Sequence, residues 1–469
     1  MKRLYILILA AMIALAGCGT LENTRIKNVT VLDSDAQEVA AENEPGTDDE
    51  AAAGDDITSG AGTEDETTTA ADVSGTGDDA TTVADVPGTG DDTTTEAMSG
   101  TGSETTTEAT FGAGNDSSTA SGPADETSSG TAAADTSKEE SEPETITINI
   151  KAVGDDLIHS GFYNIGEARG SDYTFMFENV SDVIQEADIA IINQETMFVY
   201  DKTKYSGYPT FGSPTGIGDA LIAAGFDVVQ LATNHSLDKG LTGINNTVDY
   251  FSDKDVLAIG IYTDEESASE IPLMEVAGVT FAFLNYTYGT NGIAMPNSYC
   301  VNTFSDEDKV RDDIRRAKEL ADIVVVLPHW GTEYTYTPDS FQKKWTQIFL
   351  EEGVDIVIGT HPHVVQPYEM LTGEDGHQML VYYSLGNFIS WQSKMERMLG
   401  GMADITITIT VEDGTISYDY DLVPLVTYIH SGTATTTYFL SDYDKTDHTY
   451  GATKENMTEL FEKIINWEM

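Results

Sequence analysis

The feature that most constrains the fold of this chain is an alternation, from residue 145 onward, of continuous apolar runs and amphipathic stretches. Apolar runs of strand length occupy 146–153, 188–195, 226–232, 256–261, 322–329 and 354–361. Helical patterns separate them, over 175–187, 213–224, 241–253, 306–320 and 338–351. Strands that are apolar on both faces and alternate with helices are typical of mainly parallel sheets covered by helices. The pattern therefore predicts an α/β domain, completed by a hairpin at 276–285, strands at 378–384 and 404–411, and a hairpin at 413–425.

Side chains able to bind metal stand at or just past the C-terminal ends of five of these strands. They are Asp155, Glu195, Asn234, His235, His329, His361 and His363. Open α/β sheets bind ligands at that edge, so we expect these side chains to lie close together. His361 and His363 flank Pro362. Because residues two apart in an extended chain point the same way, one imidazole would be available for each of two metals.

This set mixes carboxylate, amide and imidazole donors and contains no thiolate. Such donors suit Mn, Fe or Zn and argue against a structural zinc knot. A carboxylate that bridges two ions about 3.5–4 Å apart helps them to activate water and to hold the oxygens of a phosphoryl group. The sequence therefore predicts two divalent metal ions in a hydrolytic centre.

Six motifs in a fixed order extend this interpretation. They are Gly154-Asp155, Asn-Gln-Glu at 193–195, Ala-Thr-Asn-His-Ser-Leu-Asp-Lys-Gly at 232–240, His-Trp-Gly-Thr-Glu-Tyr at 329–334, Gly-Thr-His-Pro-His-Val-Val-Gln at 359–366 and Tyr-Ser-Leu-Gly-Asn-Phe at 383–388. Together they resemble the motifs of the CapA (poly-γ-glutamate capsule synthesis) family, over residues 146–392. The resemblance implies a calcineurin-like metallophosphoesterase domain over 146–430, a sandwich of two β-sheets flanked by helices, followed by a C-terminal extension at 431–469.

The resemblance also implies a role for each residue of the centre. One metal would be bound by Asp155 and His363, the other by Asn234, His329 and His361, and Glu195 would bridge both. His235 would stand beside the leaving group as a general acid, paired with Asn234 in the family's Asn-His motif. The first motif of metallophosphoesterases reads Asp-x-His, whereas Leu157 occupies the histidine position here and the nearest histidine is His159.

Three further residues would contact a metal-bound histidine or the substrate. His159 would share a face with Asp155 if the first strand continued that far. Glu333 would orient a metal-bound histidine, and Asn387 would either line the pocket or serve as a turn residue. The tyrosines around 286–288 and 334–336 are expected to pack as loops rather than to form a carbohydrate platform.

The N-terminal residues predict a lipoprotein signal over 1–17. Lys2 and Arg3 precede an apolar run, 4–15, which is too short to span about 30 Å of hydrocarbon. Leu-Ala-Gly-Cys at 15–18 resembles the bacterial lipobox, which implies lipidation of Cys18. We therefore expect an extracytoplasmic protein held at the cell membrane by a lipid anchor.

Residues 18–145 are expected to form a disordered acidic tether. Between residues 28 and 137 there are 26 Asp or Glu residues, no Lys or Arg, and a single aromatic residue, Phe111. Such a segment buries too little apolar surface to offset its ordering entropy, and its charges repel one another. Residues 146–469 carry 18 basic and 49 acidic side chains, which argues against nucleic acid as a partner.

Two functions remain open on this basis. The first is a membrane-anchored, metal-dependent hydrolase of phosphoester type that acts in the synthesis or export of poly-γ-glutamate or a related capsule polymer. The second is a non-catalytic assembly component, which works beside polymer synthase or export subunits and keeps a structural or vestigial metal site. Loss of phosphatase activity in His235→Ala would separate them, because only the first needs a general acid.

Overall fold

The computed structural model describes residues 143–430, 434–445 and 451–469. The signal segment 1–17, Cys18 and nearly all of the tether 18–145 lie outside these described residues. Within the described ranges, no helix has both the length and the hydropathy that a membrane span requires.

The apolar runs form the strands of two sheets. In chain order the strands are β1 (Thr145–Asp156), β2 (Ile189–Gln194), β3 (Val228–Gln230), β4 (Leu257–Ile259), β5 (Leu273–Val276), β6 (Val279–Thr287), β7 (Ile323–His329), β8 (Ile356–Ile358), β9 (Tyr368–Thr372), β10 (Gln378–Tyr382), β11 (Asn387–Ile389), β12 (Leu399–Thr410), β13 (Ile416–His430) and β14 (Ala434–Phe439). The first sheet has the order β14-β13-β12-β1-β2-β3-β4, with β11 also paired to β1, and the second has the order β5-β6-β7-β8-β10-β9. Strands β1 to β4 are mutually parallel, as are β6, β7, β8 and β10.

The helices are α1 (Ser160–Ala168), α2 (Ser181–Gln185), α3 (Gly216–Ala224), α4 (Gly240–Phe251), α5 (Glu265–Ser269), α6 (Glu307–Leu320), α7 (Ser340–Glu352), α8 (Met395–Met398) and α9 (Lys454–Ile465). Local capping explains where the longer ones begin and end. Asp306 accepts a backbone hydrogen bond at the start of α6, and Asp339 with Gln342 forms a capping box at the start of α7. Gly225 and Gly353 take left-handed conformations that end α3 and α7.

Successive residues of the central strands pack into two different layers of core. In β2, Ile189 and Ile191 lie in the layer shared by both sheets, whereas Ala190 and Ile192 lie in the layer beneath α1, α3 and α4. Strand β7 divides in the same way between the shared layer and the layer beneath α6 and α7. Strands buried on both faces explain the continuous apolar runs. The predicted α/β sandwich of two sheets flanked by helices is confirmed.

The helix predicted over 175–187 is wrong. The chain forms a 3₁₀ turn at Thr174–Met176 and then the short helix α2. Residues 175–177 are all buried, which a helix with one apolar stripe does not allow. Asn179 lies between the two elements and donates a hydrogen bond to Thr436 Oγ1 in β14, at 3.1 Å. Contacts with a strand distant in sequence therefore override the local helical pattern.

The segment after residue 430 continues the first sheet. Strand β14 pairs antiparallel with β13. Helix α9 contributes Met457, Phe461 and Ile464 to the layer of core that both sheets share. The described parts of 431–469 therefore pack as part of the same domain.

Candidate metal centre

The seven side chains predicted for the centre lie at the ends of β1, β2, β3, β7 and β8, and every one of them is buried. The first sheet contributes those near the ends of β1 to β3, and the second sheet contributes the three histidines near β7 and β8. They are Asp155, Glu195, Asn234, His235, His329, His361 and His363. The structure therefore brings donor atoms from both sheets to one place.

Five of these residues form two groups of metal donors. Glu195, His329 and His361 form the first group; Asp155, Glu195 and His363 form the second. Within each group the donor atoms lie within 4.8 Å of one another. Glu195 belongs to both groups, and each group contains one imidazole from the segment 361–363. Binding of metal by these residues stays a prediction.

Asn234 and Asn193 complete the polar contacts of the two groups. Asn234 Oδ1 lies 2.8 Å from His329 Nε2, so it adds an oxygen to the first group. Asn193 Nδ2 donates to Asp155 Oδ1 at 2.7 Å and lies 3.3 Å from His329 Nδ1. Asp155 Oδ2 lies 3.0 Å from His363 Nδ1. Asn193 therefore contacts one donor residue of each group.

Glu195 is the feature that points most directly to a metal. Its side chain is fully buried, and neither carboxylate oxygen has a hydrogen-bond partner among the described residues. Oε1 instead lies 3.7 Å from His329 Nε2 and 3.9 Å from His363 Nε2. Burial raises the pKa of Glu195 well above its ordinary value. Because buried charges are paired or bind metals, this arrangement fits divalent cations.

The histidines differ in their affinity for protons. Burial, reinforced by neighbouring imidazoles, lowers the pKa of His329 and His361 well below the ordinary value, which leaves them neutral and able to bind metal. Burial also acts to lower the pKa of His363, but the carboxylates of Glu195 and Asp155 outweigh it and raise this pKa to about 9. Metal binding by His363 would therefore displace a proton.

The extended conformation expected for residues 361–363 is wrong. His361 has φ 99° and His363 has φ 56°, so both lie in the left-handed region that residues other than glycine avoid. Such conformations cost about 1–3 kcal/mol each and persist only where the surroundings impose them. The Tyr334 N–H donates to Pro362 O at 2.8 Å and helps to hold this turn. The turn leaves the two imidazole centroids 5.9 Å apart, one in each donor group.

His235 stands beside the donor groups rather than within them. Its Nε2 lies 4.0 Å from Glu195 Oε1, and its Nδ1 lies 2.7 Å from Asp238 Oδ2. The Phe211 ring packs edge-on against the imidazole with the ring centroids 4.7 Å apart. The Asp238 carboxylate accepts a hydrogen bond from Nδ1, which leaves Nε2 on the side of Glu195.

The three residues expected around the centre have different positions. Strand β1 ends before His159, so this histidine does not continue the face of Asp155; its Nδ1 lies 3.0 Å from the Leu157 carbonyl oxygen, and it belongs to neither donor group. Glu333 is exposed and hydrogen-bonds to no histidine among the described residues. Asn387 does approach a ligand candidate, with Oδ1 3.0 Å from His363 Nδ1.

Comparison with known proteins identifies the family. The profile of the family described as "Bacterial capsule synthesis protein PGA_cap" matches residues 149–392, which is more than half of the chain. The chain belongs to this family. The assignment confirms the resemblance to the CapA family that the six motifs indicated.

Two curated relatives of the PGA_cap domain come from Bacillus. The "PGA biosynthesis protein CapA" of Bacillus subtilis is 28% identical over 257 residues, which cover 52% of this chain and 66% of the relative. The "Capsule biosynthesis protein CapA" of Bacillus anthracis is 30% identical over 261 residues, which cover 53% of this chain and 60% of the relative. The chain thus spans less than two thirds of either relative.

Solved structures of other proteins are also similar to this chain. A Staphylococcus aureus protein provisionally named a 5′-nucleotidase, solved with α-ketoglutarate, is 15% identical, with a TM-score of 0.37 over 68% of this chain and 58% of that one.

Several residues of the PGA_cap centre were not predicted from the sequence. Asn193 and Asp238 both lie within the quoted motifs, and Asp238 stands three residues after His235, so a signal for them was present. Asn291 had none: its Oδ1 accepts from Asn234 Nδ2 at 3.1 Å across a long sequence separation. Both unpredicted asparagines thus contact predicted metal ligands.

The tyrosines around the centre differ in how far they are exposed. Tyr286 is buried, but Tyr288 and Tyr334 are 40% and 38% exposed. The Tyr288 ring centroid lies 4.6 Å from that of His361, and the Tyr334 ring centroid lies 6.0 Å from that of His363. Each donor group is therefore bordered by one exposed phenol ring.

Proposed function

We propose that this PGA_cap protein is a two-metal-dependent hydrolase of phosphoester type, held outside the cytoplasm by a lipid on Cys18, which acts in the synthesis or export of a capsule polymer such as poly-γ-glutamate. The observation that carries the proposal is the Glu195 carboxylate, which is buried, unpartnered among the described residues and shared by two donor groups. The anchor is supported by the N-terminal pattern and the polymer by the names of the relatives.

The side chains of the centre would have different roles in this function. Asp155 and His363 would hold one ion, Glu195 would hold both, and the second ion would also be held by Asn234, His329 and His361. Two such ions supply a water of lowered pKa together with positive charge for phosphoryl oxygens. His235 would give a proton to the leaving oxygen through Nε2, while Asp238 would hold the opposite nitrogen, and the distances of 4.0 Å to Glu195 Oε1 and 2.7 Å to Asp238 Oδ2 support these roles.

The charge of the domain favours the same interpretation. Residues 146–469 carry 49 acidic and 18 basic side chains, so the protein as a whole repels anions. A phosphoester substrate would therefore need local positive charge at the place where it reacts. Metal ions held at the two donor groups would provide it.

The test combines metal analysis with kinetics on the full-length mature protein. We expect two metal ions per chain and turnover of at least one class of ester in a panel of phosphomonoesters and phosphodiesters. His235→Ala should lower kcat about 10²–10⁴-fold without loss of metal, because it removes only the general acid. Asp238→Asn should lower kcat by a smaller factor, because Asp238 acts through His235.

His377→Gln is the matched control for these variants. This histidine lies outside the centre, with Nε2 2.7 Å from the Val354 carbonyl oxygen, and glutamine can retain that bond. Its variant should keep wild-type metal content and rate. A metal-loaded wild type that turns over nothing in the panel, or a His235→Ala protein with the full rate, would exclude the hydrolase.

The names of the two relatives also support an assembly role without catalysis, since both refer to biosynthesis rather than hydrolysis. In a polymer-producing strain, the amount of surface polymer distinguishes the two functions. An assembly component predicts that polymer disappears when the chain is deleted and persists in His235→Ala. The hydrolase predicts that both changes abolish it.

A further inference from the structure

Arg397 stands beside the metal centre without a carboxylate partner. No ion pair joins it to any described residue, and its Nε is buried with no hydrogen-bond partner. Its guanidinium carbon lies 3.5 Å from the centroid of the Tyr334 ring. The arginines of α6 contrast with it, because Arg311 and Arg315 both bind Glu352. An unpaired guanidinium that also lies beside the donor groups is available to bind an external anion at the site.

Two chains of contacts connect Arg397 to the second donor group. The Tyr334 ring on which it stacks has its centroid 6.0 Å from that of His363. Asn387 donates through Nδ2 to the Arg397 carbonyl oxygen at 2.8 Å, while its Oδ1 lies 3.0 Å from His363 Nδ1. The guanidinium carbon lies 3.5 Å from the Tyr334 centroid, which in turn lies 6.0 Å from the His363 centroid. Its distance from the His363 ring therefore cannot exceed the sum of these two distances, and one unit of a substrate can span that separation.

The backbone of Tyr334 supports a role in binding. Its φ of 61° is left-handed, which is unfavourable for a tyrosine, and its N–H is tied to Pro362 O at 2.8 Å. This backbone holds a ring that is 38% exposed next to His363. A strained backbone that presents an exposed aromatic side chain at a polar site suggests that the ring contacts a ligand, directly or by orienting Arg397.

We propose that Arg397 and Tyr334 form a second anion-binding position beside the metal centre, for a carboxylate or phosphate group located one unit away from the bond that is cleaved. The planar guanidinium suits both anions, since it binds carboxylate and phosphate through paired hydrogen bonds. The proposal rests on the proposed function, because a bond is cleaved only if the protein is a hydrolase. It narrows the substrate class to molecules with at least two anionic groups, such as a polyanionic chain.

The test is calorimetric titration of the metal-loaded full chain with three phosphonates that cannot be hydrolysed. Butylphosphonate carries one anionic group, whereas 5-phosphonopentanoate and butane-1,4-diyl bisphosphonate add a carboxylate or a second phosphonate at the end of the same four-carbon spacer. We expect wild type to bind one or both doubly anionic ligands about tenfold or more tightly than butylphosphonate. The ligand with the larger preference identifies which second anion the position takes.

Variants at position 397 decide whether Arg397 causes this preference. In Arg397→Gln, the ratio of the affinity for a doubly anionic ligand to that for butylphosphonate should fall close to one, because only the doubly anionic ligand loses a contact. Arg397→Lys should keep part of the preference, because lysine retains the charge without the planar fork. Arg169→Gln is the control: Arg169 also stacks on an aromatic ring, 4.3 Å from the Phe175 centroid, but at the end of α1. Its preference should equal that of wild type.

Three results would overturn the proposal. One is the absence of any preference in wild type, and another is a preference that survives Arg397→Gln. The third is loss of bound metal in Arg397→Gln, which would show that Arg397 acts only through Asn387 and His363. Because no turnover is measured, an inactive protein would refute the hydrolase and leave this test intact. If the chain took up no metal, the proposal would require weaker, Arg397-dependent binding of the same phosphonates to metal-free protein.

Discussion

Replacement of Glu195 by glutamine should stabilise the protein without metal and abolish its stabilisation by metal. Both carboxylate oxygens are buried without a hydrogen-bond partner among the described residues. In the absence of a cation, burial of this carboxyl group without a hydrogen-bond partner therefore lowers the stability of the folded chain. Glutamine keeps the size and shape of the side chain and removes the ionisation.

The pH dependence sets the size of the effect in metal-free protein. Glu195 has an ordinary pKa of 4.5, and burial raises its pKa in the folded state. Below pH 4.5 the group is neutral in both states and has no effect on stability. As the pH rises further, the unfolded chain ionises first, and the free energy of unfolding falls by about 1.4 kcal/mol per pH unit until the folded pKa is reached. Glu195→Gln removes this ionisation, so the difference in stability between the two metal-free proteins should grow with pH until the folded pKa of Glu195 is reached.

Metal reverses the order of stability. A ligand present at one hundred times its Kd stabilises the folded state by about 2.7 kcal/mol per site. Glu195 belongs to both donor groups, so its replacement weakens both sites at once. With excess Mn or Zn at pH 7, wild type should therefore be more stable than Glu195→Gln by several kcal/mol.

Denaturant titrations of the full-length chain between pH 5 and pH 8, with and without metal, measure both effects. Glu275→Gln is the matched control, because Glu275 is an exposed carboxylate on β5; it should resemble wild type in every condition. If Glu195→Gln is less stable than wild type in metal-free buffer at pH 7, the chain itself compensates the carboxylate and the reasoning fails. Equal stabilisation of both proteins by metal would refute the shared position of Glu195.

Two further predictions concern protons. His159→Asn should make the protein less sensitive to acid: burial, the main cause, lowers the pKa of His159 from 6.5 to about 4, so stability is lost as the pH falls from 6.5 toward 4. Urea titrations measure how far the free energy of unfolding decreases between pH 7 and pH 4.5. This decrease should be about 2 kcal/mol smaller in the variant than in wild type, and an equal decrease in both proteins would contradict the burial of this imidazole. Metal loading at pH 7.5 should release protons, because the pKa of His363 is raised to about 9 and that of Glu195 is also raised. Calorimetry in buffers of different ionisation enthalpy measures this release, and a value of zero would count against these two residues as ligands.

The fold and the gathering of the ligands could be predicted because both depend on local patterns. A strand that is buried on both faces appears as a continuous apolar run, and parallel strands bring their carboxyl ends together. Asp155, Glu195 and His329 lie within one residue of the end of their strands, so their meeting follows from the topology. Asn193 and Asp238 required only a closer examination of motifs that were already recognised.

The remaining features depend on contacts between distant segments. The left-handed backbone of His361 and His363 is imposed by neighbouring loops, and no local pattern marks it. Arg397 lies in a helix of four residues, and only the tertiary structure places it on Tyr334. The break in the helix predicted over 175–187 arises from β14, far along the chain. In each case the energy comes from partners that sequence periodicity does not identify.

The replacement of the expected histidine by Leu157 makes the two donor groups unequal. Leu157 is buried, and its N–H donates to Ile389 O at 2.8 Å. This position therefore provides no metal-binding atom and leaves no space for one from elsewhere. The second group consequently offers Asp155, Glu195 and His363, whereas the first offers two imidazoles, the Glu195 carboxylate and the Asn234 amide oxygen. Because affinity rises with the number of well-placed donors, the first group should hold its ion more tightly. A hydrolase built on this chain would then depend on the supply of the second ion, and the Arg397 position would compensate by binding substrate beside the weaker site.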